Sequence, residues 1–184
     1  TPMMVYFMLF AKEGICFLSG SAYIGSIVPM QIIMPTLLLI GLTNIMGIQM
    51  LVPLGREKVV LLSEIAGVIV DCILNALLIP RITSTGAAIG TLAAETAVWI
   101  VQYFALRNSV EEAYRSVQYR AIGIGIVIGT GLGIVVKQLA LGTFAMLVVS
   151  SVLFFGLYVI VLTMFKEPLV LEIERQMIGN VKKS

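Results

Sequence analysis

"LLSEIAGVIVDCILNALLIP", residues 61–80, decides how the rest of the chain is read. It is an apolar run of the length a bilayer core requires, ~20 residues of helix. Glu64, Asp71 and Asn75 are nevertheless embedded in it. On a helix turning about 100° per residue, Asp71 returns to within ~20° of Glu64, and Asn75 lies ~40° to the other side. The three polar groups therefore share one stripe, and Ile, Val, Leu and Ala fill the other faces. Depth separates them. Glu64 is about one and a half turns from the polar "GREK" of Gly55 to Lys58, close enough to reach interfacial water and to benefit from the helix N-terminus. Asp71 sits near mid-membrane, where an ionised carboxylate must be neutralised, paired or turned towards a water-filled cavity. For Asn75 the simplest role is a packing amide, hydrogen-bonded to a neighbouring helix.

The composition agrees with a membrane reading. The chain has 184 residues, of which 59% are hydrophobic and 12% charged, with a mean hydropathy of +1.05. Soluble domains carry about 25% charged residues, and a chain of this size cannot bury so much apolar surface in one core. A net charge of +2 gives no basis for nucleic-acid binding. With no histidine, the commonest metal ligand and general base are absent. Cys16 and Cys72 lie inside apolar runs without a CxxC pairing, so neither a disulfide nor a metal site is expected. No Ser-His-Asp or Cys-His arrangement exists, so catalytic residues, cofactors and enzymatic activity are not expected. The chain begins at Thr1 with no basic segment ahead of its first apolar run, which reads as a piece of a longer protein without a signal peptide.

Six segments qualify as membrane spans: about Pro2 to Ser19, Ile27 to Val52, Val59 to Ile79, Gly86 to Leu106, Ala121 to Leu139 and Phe144 to Phe165. The expected architecture is an all-α, polytopic transmembrane bundle over residues 1–165, followed by a polar cytoplasmic tail over 166–184. Unpaired backbone is not tolerated in lipid, so the spans are helices; the alternating segments of a barrel are absent. Alternating loops gather nine of the twelve Lys and Arg residues on one side, leaving Arg81 and Lys137 on the other and Lys12 within the first span. By the positive-inside rule the basic side, with both chain ends, is cytoplasmic.

The other spans carry polar residues of their own. Thr91, Glu95 and Gln102 fall within ~40° on the fourth, with Trp99 at the edge of the stripe. Glu95 is again near mid-membrane, and two facing stripes or a shared cavity would satisfy both deep carboxylates. Lys12 and Glu13 are adjacent and point ~100° apart, so they do not pair well on one helix. Either the helix breaks there or Lys12 faces a cavity, where a cation would suit an anionic substrate such as a phosphate. In the second span Pro29 and Pro35 remove backbone donors and should bend the helix. Gln31, Asn44 and Gln49 are its polar members, and bent polar helices line the path in many transporters. In the fifth span, "GIGIVIGTGLG" fails the nucleotide-loop fingerprint because Ile128 stands where the third glycine is needed. Gly125, Gly129 and Gly133 read instead as a small-residue face for close helix approach.

Taken together, "GLTNIMGIQMLVPLGREK", "GVIVDCILNALLIP" and "STGAAIGTLAAE" resemble the C-terminal part of bacterial polysaccharide and O-antigen flippases. These belong to the multidrug/oligosaccharidyl-lipid/polysaccharide exporter superfamily. The resemblance rests on Gly47-Ile48-Gln49, the Gly55 to Lys58 loop, Leu74-Asn75 before Pro80, Gly86-Ala87-Ala88 and Glu95, and it covers about Gly41 to Glu95. It implies the last six helices of a two-lobed, inner-membrane transporter whose N-terminal lobe is missing here. The implied substrate is an oligosaccharide on undecaprenyl pyrophosphate, moved between leaflets by alternating access with H+ or Na+ as coupling ion and without ATP. Position 71 departs from the family pattern, where Asn is usual; the acid marks either proton coupling or a protonated stand-in for Asn. Lys12, Gln31, Asn44, Asp71, Asn75, Glu95 and Gln102 are the candidate transport-path or substrate-binding residues. A cation-coupled drug exporter and a non-transporting scaffold are the competing expectations.

Overall fold

The computed structural model describes residues 1–115, 119–139 and 142–165, without the side chains of 108–115; the expected tail at 166–184 lies outside the described residues. Described residues are almost entirely helical, with no strand among them. In chain order come α1 (Pro2–Leu9), α2 (Ala11–Ser19), a 3₁₀ turn (Ser21–Ser26), α3 (Ile27–Ile33), α4 (Thr36–Asn44), a π-helical stretch (Ile45–Leu51), α5 (Glu57–Arg115), α6 (Tyr119–Gln138) and α7 (Thr143–Met164). Among the described residues, four stretches are long and apolar enough to cross a membrane: Ser21–Leu51, Glu57–Arg107, Tyr119–Gln138 and Thr143–Met164. The pair α1 and α2, bent by 68°, makes a fifth if it counts as one broken span. Exposed Leu, Ile, Val and Phe side chains cover the helices, as expected of a protein whose solvent is lipid.

The longest stretch is not straight. Ile82 (φ −132°, ψ 18°) and Thr83 (φ 47°, ψ −123°) leave helical geometry, two residues beyond Pro80, which has no amide proton for the helical ladder. Thr83 occupies the left-handed region that β-branched residues rarely adopt. There the chain folds back on itself. Gln102 Nε2 donates to Ser63 Oγ over 3.0 Å and Arg56 Nη1 to the Ala105 carbonyl over 2.8 Å. In a straight helix, residues 63 and 102 would stand ~58 Å apart. Gly67 packs against Ala94 and Val98, Gly90 against Asn75 and Asp71, and Gly86 against the backbone of Leu78 and Ile79. These pairs describe one antiparallel hairpin with arms at 57–81 and 84–115. Each arm reaches the ~20 residues of a span. The separate third and fourth segments expected from the sequence are thus the two arms, and "PRITST" is not a loop but helix interrupted by a two-residue reversal. Arg56 and Arg107 lie at one end of the hairpin and Arg81 at the other.

The π-helical stretch seats the second segment against this hairpin. Met46 and Leu51 pack with Leu106, and Leu42, Val60, Trp99 and Tyr103 surround them. The wider π turn shows in the bonds from the Val52 amide to the Gly47 carbonyl and from the Arg56 amide to the Leu51 carbonyl. Gly47 faces Gln102, whose amide nitrogen would lie 3.2 Å from a Cβ at that position. Pro29 falls in the first turn of α3, where its missing amide proton breaks no helical bond. The interruption comes at Met34–Pro35, between α3 and α4.

On the other side, α6 and α7 form a second antiparallel pair. Gly125 meets Tyr158 and Gly129 meets Phe154, while Gly133 meets Leu9 and Phe10. All three glycines are buried, so the small-residue face serves helix packing. Tyr6, Phe10 and Phe154 form the aromatic core of this part. The Tyr6 hydroxyl donates to the Leu147 carbonyl over 2.9 Å and lies 3.1 Å from Ser150 Oγ.

Candidate functional site

The hairpin reversal brings its two polar stripes together. One hollow of about 220 Å³ runs between the arms and is lined by Glu64, Asp71, Thr91 and Glu95 with Gly67 and Val98. A second of about 310 Å³ opens where the α4–π segment meets the hairpin, lined by Thr43, Asn44, Gly47 and Gln102 and again by Glu64 and Glu95. Because Glu64 and Glu95 line both, the hollows form one polar groove. The larger hollow alone reaches the lower end of the usual small-molecule range, ~300–1,000 Å³.

The hydrogen-bond inventory of the groove is lopsided. Ser63 Oγ donates its one proton to the Val60 carbonyl over 2.6 Å. It must therefore accept from Gln102, which fixes the amide orientation: Nε2 faces Ser63, and Oε1 is left without a protein partner. Gln102 is only 1% exposed. Asn75 Nδ2 donates to Asp71 Oδ2 over 2.9 Å across one helical turn. Asp71 Oδ1 and Asn75 Oδ1, both buried and facing Gly90, then have no partner. Thr43 spends its hydroxyl proton on the Ile40 carbonyl. Glu64 is exposed and Glu95 half-buried. Among the described residues, no Lys or Arg lines either hollow. The groove wall is thus rich in unsatisfied acceptors, with Asn44 and Thr91 as the remaining side-chain donors. Among the described residues no cluster of three or more carboxylate or thiol groups is close enough to hold a metal ion. Trp99 Nε1 is a buried donor without a partner, and its ring stacks on Tyr103 beside the Met46–Leu51–Leu106 cluster.

Five of the seven candidate residues therefore gather in one region: Asn44, Asp71, Glu95 and Gln102 line the groove, and Asn75 is bonded to Asp71. The other two stand apart. Gln31 Nε2 donates to the Met8 carbonyl over 3.1 Å, tying α3 to α1 at the Phe10 bend. Lys12 is exposed on α2 and lines neither hollow. Of the two alternatives for the Lys12–Glu13 pair, the structure takes the broken helix: Phe10 leaves helical geometry (φ −101°, ψ 20°).

Glu13 finds its partner on a distant helix. Lys137 Nζ lies 3.1 Å from Glu13 Oε1, donates to the Leu9 carbonyl over 2.6 Å and sits 5.0 Å from the Phe10 ring centroid. At the bend, the Met8 and Leu9 carbonyls are thus each met by a side chain from another helix, Gln31 and Lys137, as a helix end requires. Ser63, which orients Gln102 from behind the groove, is the residue that the sequence does not reveal. A serine in an apolar run gives no signal until the hairpin register sets it opposite Gln102. For Glu13 and Lys137 the signal is weak: an acid and a base in separate spans.

No family model, curated protein or solved structure matches this chain. What the chain itself supports is an all-helical, membrane-compatible protein with an acidic groove between the arms of a helical hairpin.

Proposed function

We propose that the protein is an exporter that moves a lipid-linked oligosaccharide across the bacterial inner membrane for polysaccharide or O-antigen assembly. The observation that carries this reading is the polar groove of Glu64, Asp71 and Glu95 inside a hairpin otherwise covered by lipid-compatible side chains. Asp71 and Glu95, read as lying near mid-membrane, are costly to keep there and mark a path for solute or ion. The stretch that resembles the flippases, Gly41 to Glu95, is also the stretch that builds most of the groove: α4, the π turn and both arms.

Alternating access needs elements that rock as units about defined breaks. Phe10, Met34–Pro35, the π stretch and Ile82–Thr83 provide breaks of this kind. In this reading a second lobe closes the groove from the opposite side, and Asp71 exchanges a proton as the lobes rock. The acceptor-rich wall gives weight to a second reading, a cation-coupled drug exporter.

Deleting the gene in a strain without another flippase should leave lipid-linked glycan on the cytoplasmic leaflet and strip the surface glycan. Normal surface glycan in that strain refutes the reading. Changed sensitivity to cationic drugs, with glycan unaffected, favours the drug exporter instead. A protein whose Asp71→Asn and Glu95→Gln variants leave every transport assay unchanged while lowering stability is a scaffold.

A further inference from the structure

We infer that the groove recognises a primary ammonium group, so that the glycan handled by this protein carries a free amino sugar. This rests on the exporter reading above and names the chemistry of its substrate. Two independent observations converge. Glu64, Asp71 and Glu95 face one groove that, among the described residues, no Lys or Arg lines. Separately, Gln102 lines the groove at only 1% exposure, and its buried Oε1, held in orientation by the Ser63 bond, has no partner. A buried acceptor left open in this way calls for a donor from outside the protein.

The ligand class follows by elimination. A phosphate or pyrophosphate has only acceptors and negative charge, and three carboxylates repel it, so the lipid-carrier end of the substrate is not held here. A bare metal ion needs its ligands drawn together, and the described carboxylates do not form such a cluster. A neutral sugar hydroxyl supplies one proton and no charge to offset the carboxylates. An ammonium supplies three donors and a positive charge on one atom. It can bond a carboxylate and the Gln102 amide oxygen while its neighbouring hydroxyls meet Thr91 and Asn44. Ammonium and carboxylate in a low-dielectric setting also stabilise each other, where either alone is disfavoured.

The test uses the full-length protein in detergent and in proteoliposomes. Calorimetric titration compares glucosamine with N-acetylglucosamine, which differ at the amine. Glucosamine should bind at least tenfold more tightly, and Glu95→Gln should erase the difference. Equal affinity of the wild-type protein for the two sugars overturns the inference without appeal to any variant. Tetramethylammonium, a cation with no N–H donor, should bind weakly; affinity matching glucosamine would show a generic cation hollow and overturn it too. In proteoliposomes, a lipid-linked glycan bearing a free amino sugar should be moved at least tenfold faster than its N-acetylated form. Equal rates overturn the inference and leave the exporter reading standing. If neither glycan moves, the exporter reading falls, and with it the assignment to a glycan amine.

Discussion

Replacing Gly86 by alanine tests whether the hairpin closes by direct backbone contact. A Cβ at Gly86 would lie 2.6 Å from the Leu78 carbonyl carbon, 2.7 Å from its oxygen and 2.9 Å from the Ile79 nitrogen. Carbon atoms in ordinary contact stand ~3.5–4.0 Å apart, so the arms must separate by ~1 Å. The obstructing atoms are backbone and cannot rotate aside. Overpacking of this kind costs ~1–3 kcal/mol, offset by the ~1 kcal/mol helix preference of alanine over glycine. A net loss of ~0–2 kcal/mol is expected from these two terms. The assay is denaturant unfolding of purified protein, read by the fluorescence of Trp99, the chain's single tryptophan, which lies in the second arm. Gly131→Ala is the control, because a Cβ there meets nothing within 4 Å; it should leave stability unchanged or raise it by up to ~1 kcal/mol. Gly86→Ala as stable as Gly131→Ala would refute the close-approach argument.

Further expectations attach to single groups. Glu13→Gln and Lys137→Gln should show a coupling of ~0.5–2 kcal/mol in a double-mutant cycle of unfolding, since the pair is partly buried (18% and 28% exposed); additive effects would mean the pair contributes nothing. Tyr6→Phe should cost ~0.5–1.5 kcal/mol by removing the bond to the Leu147 carbonyl, and unfolding curves that superpose on the parent's would contradict this. Gln102→Leu should shift stability by less than ~1 kcal/mol, because losing the Ser63 bond also removes an orphaned acceptor, yet it should depress transport in proteoliposomes; full transport would exclude Gln102 from the path. Asp71→Asn keeps a polar partner for Asn75 and should remove the dependence of transport on an ion gradient. Gradient-driven transport that survives unchanged would show that Asp71 is not the coupling group.

The sequence by itself determined the dominance of long apolar helices, compatible with lipid as surroundings, and the membership of the polar stripes. These are one-dimensional properties: apolar content suits lipid as the surroundings, backbone hydrogen bonding in lipid favours helices, and a fixed 100° step assigns each residue a face. Helical periodicity alone therefore groups Asp71 with Asn75, and Glu95 with Gln102. Tertiary structure decided which stripes meet. The reversal at Ile82–Thr83 set the antiparallel register that joins Gln102 to Ser63 and places Glu64 beside Glu95. That register depends on Gly67, Gly86 and Gly90 admitting the opposite arm, which no periodicity encodes. The Phe10 bend likewise set Lys12 and Gln31 apart from the groove and gave Glu13 to Lys137, 124 positions along the chain. Helical periodicity acts over a few turns, whereas the partner of a buried charge is chosen by how helices cross in space.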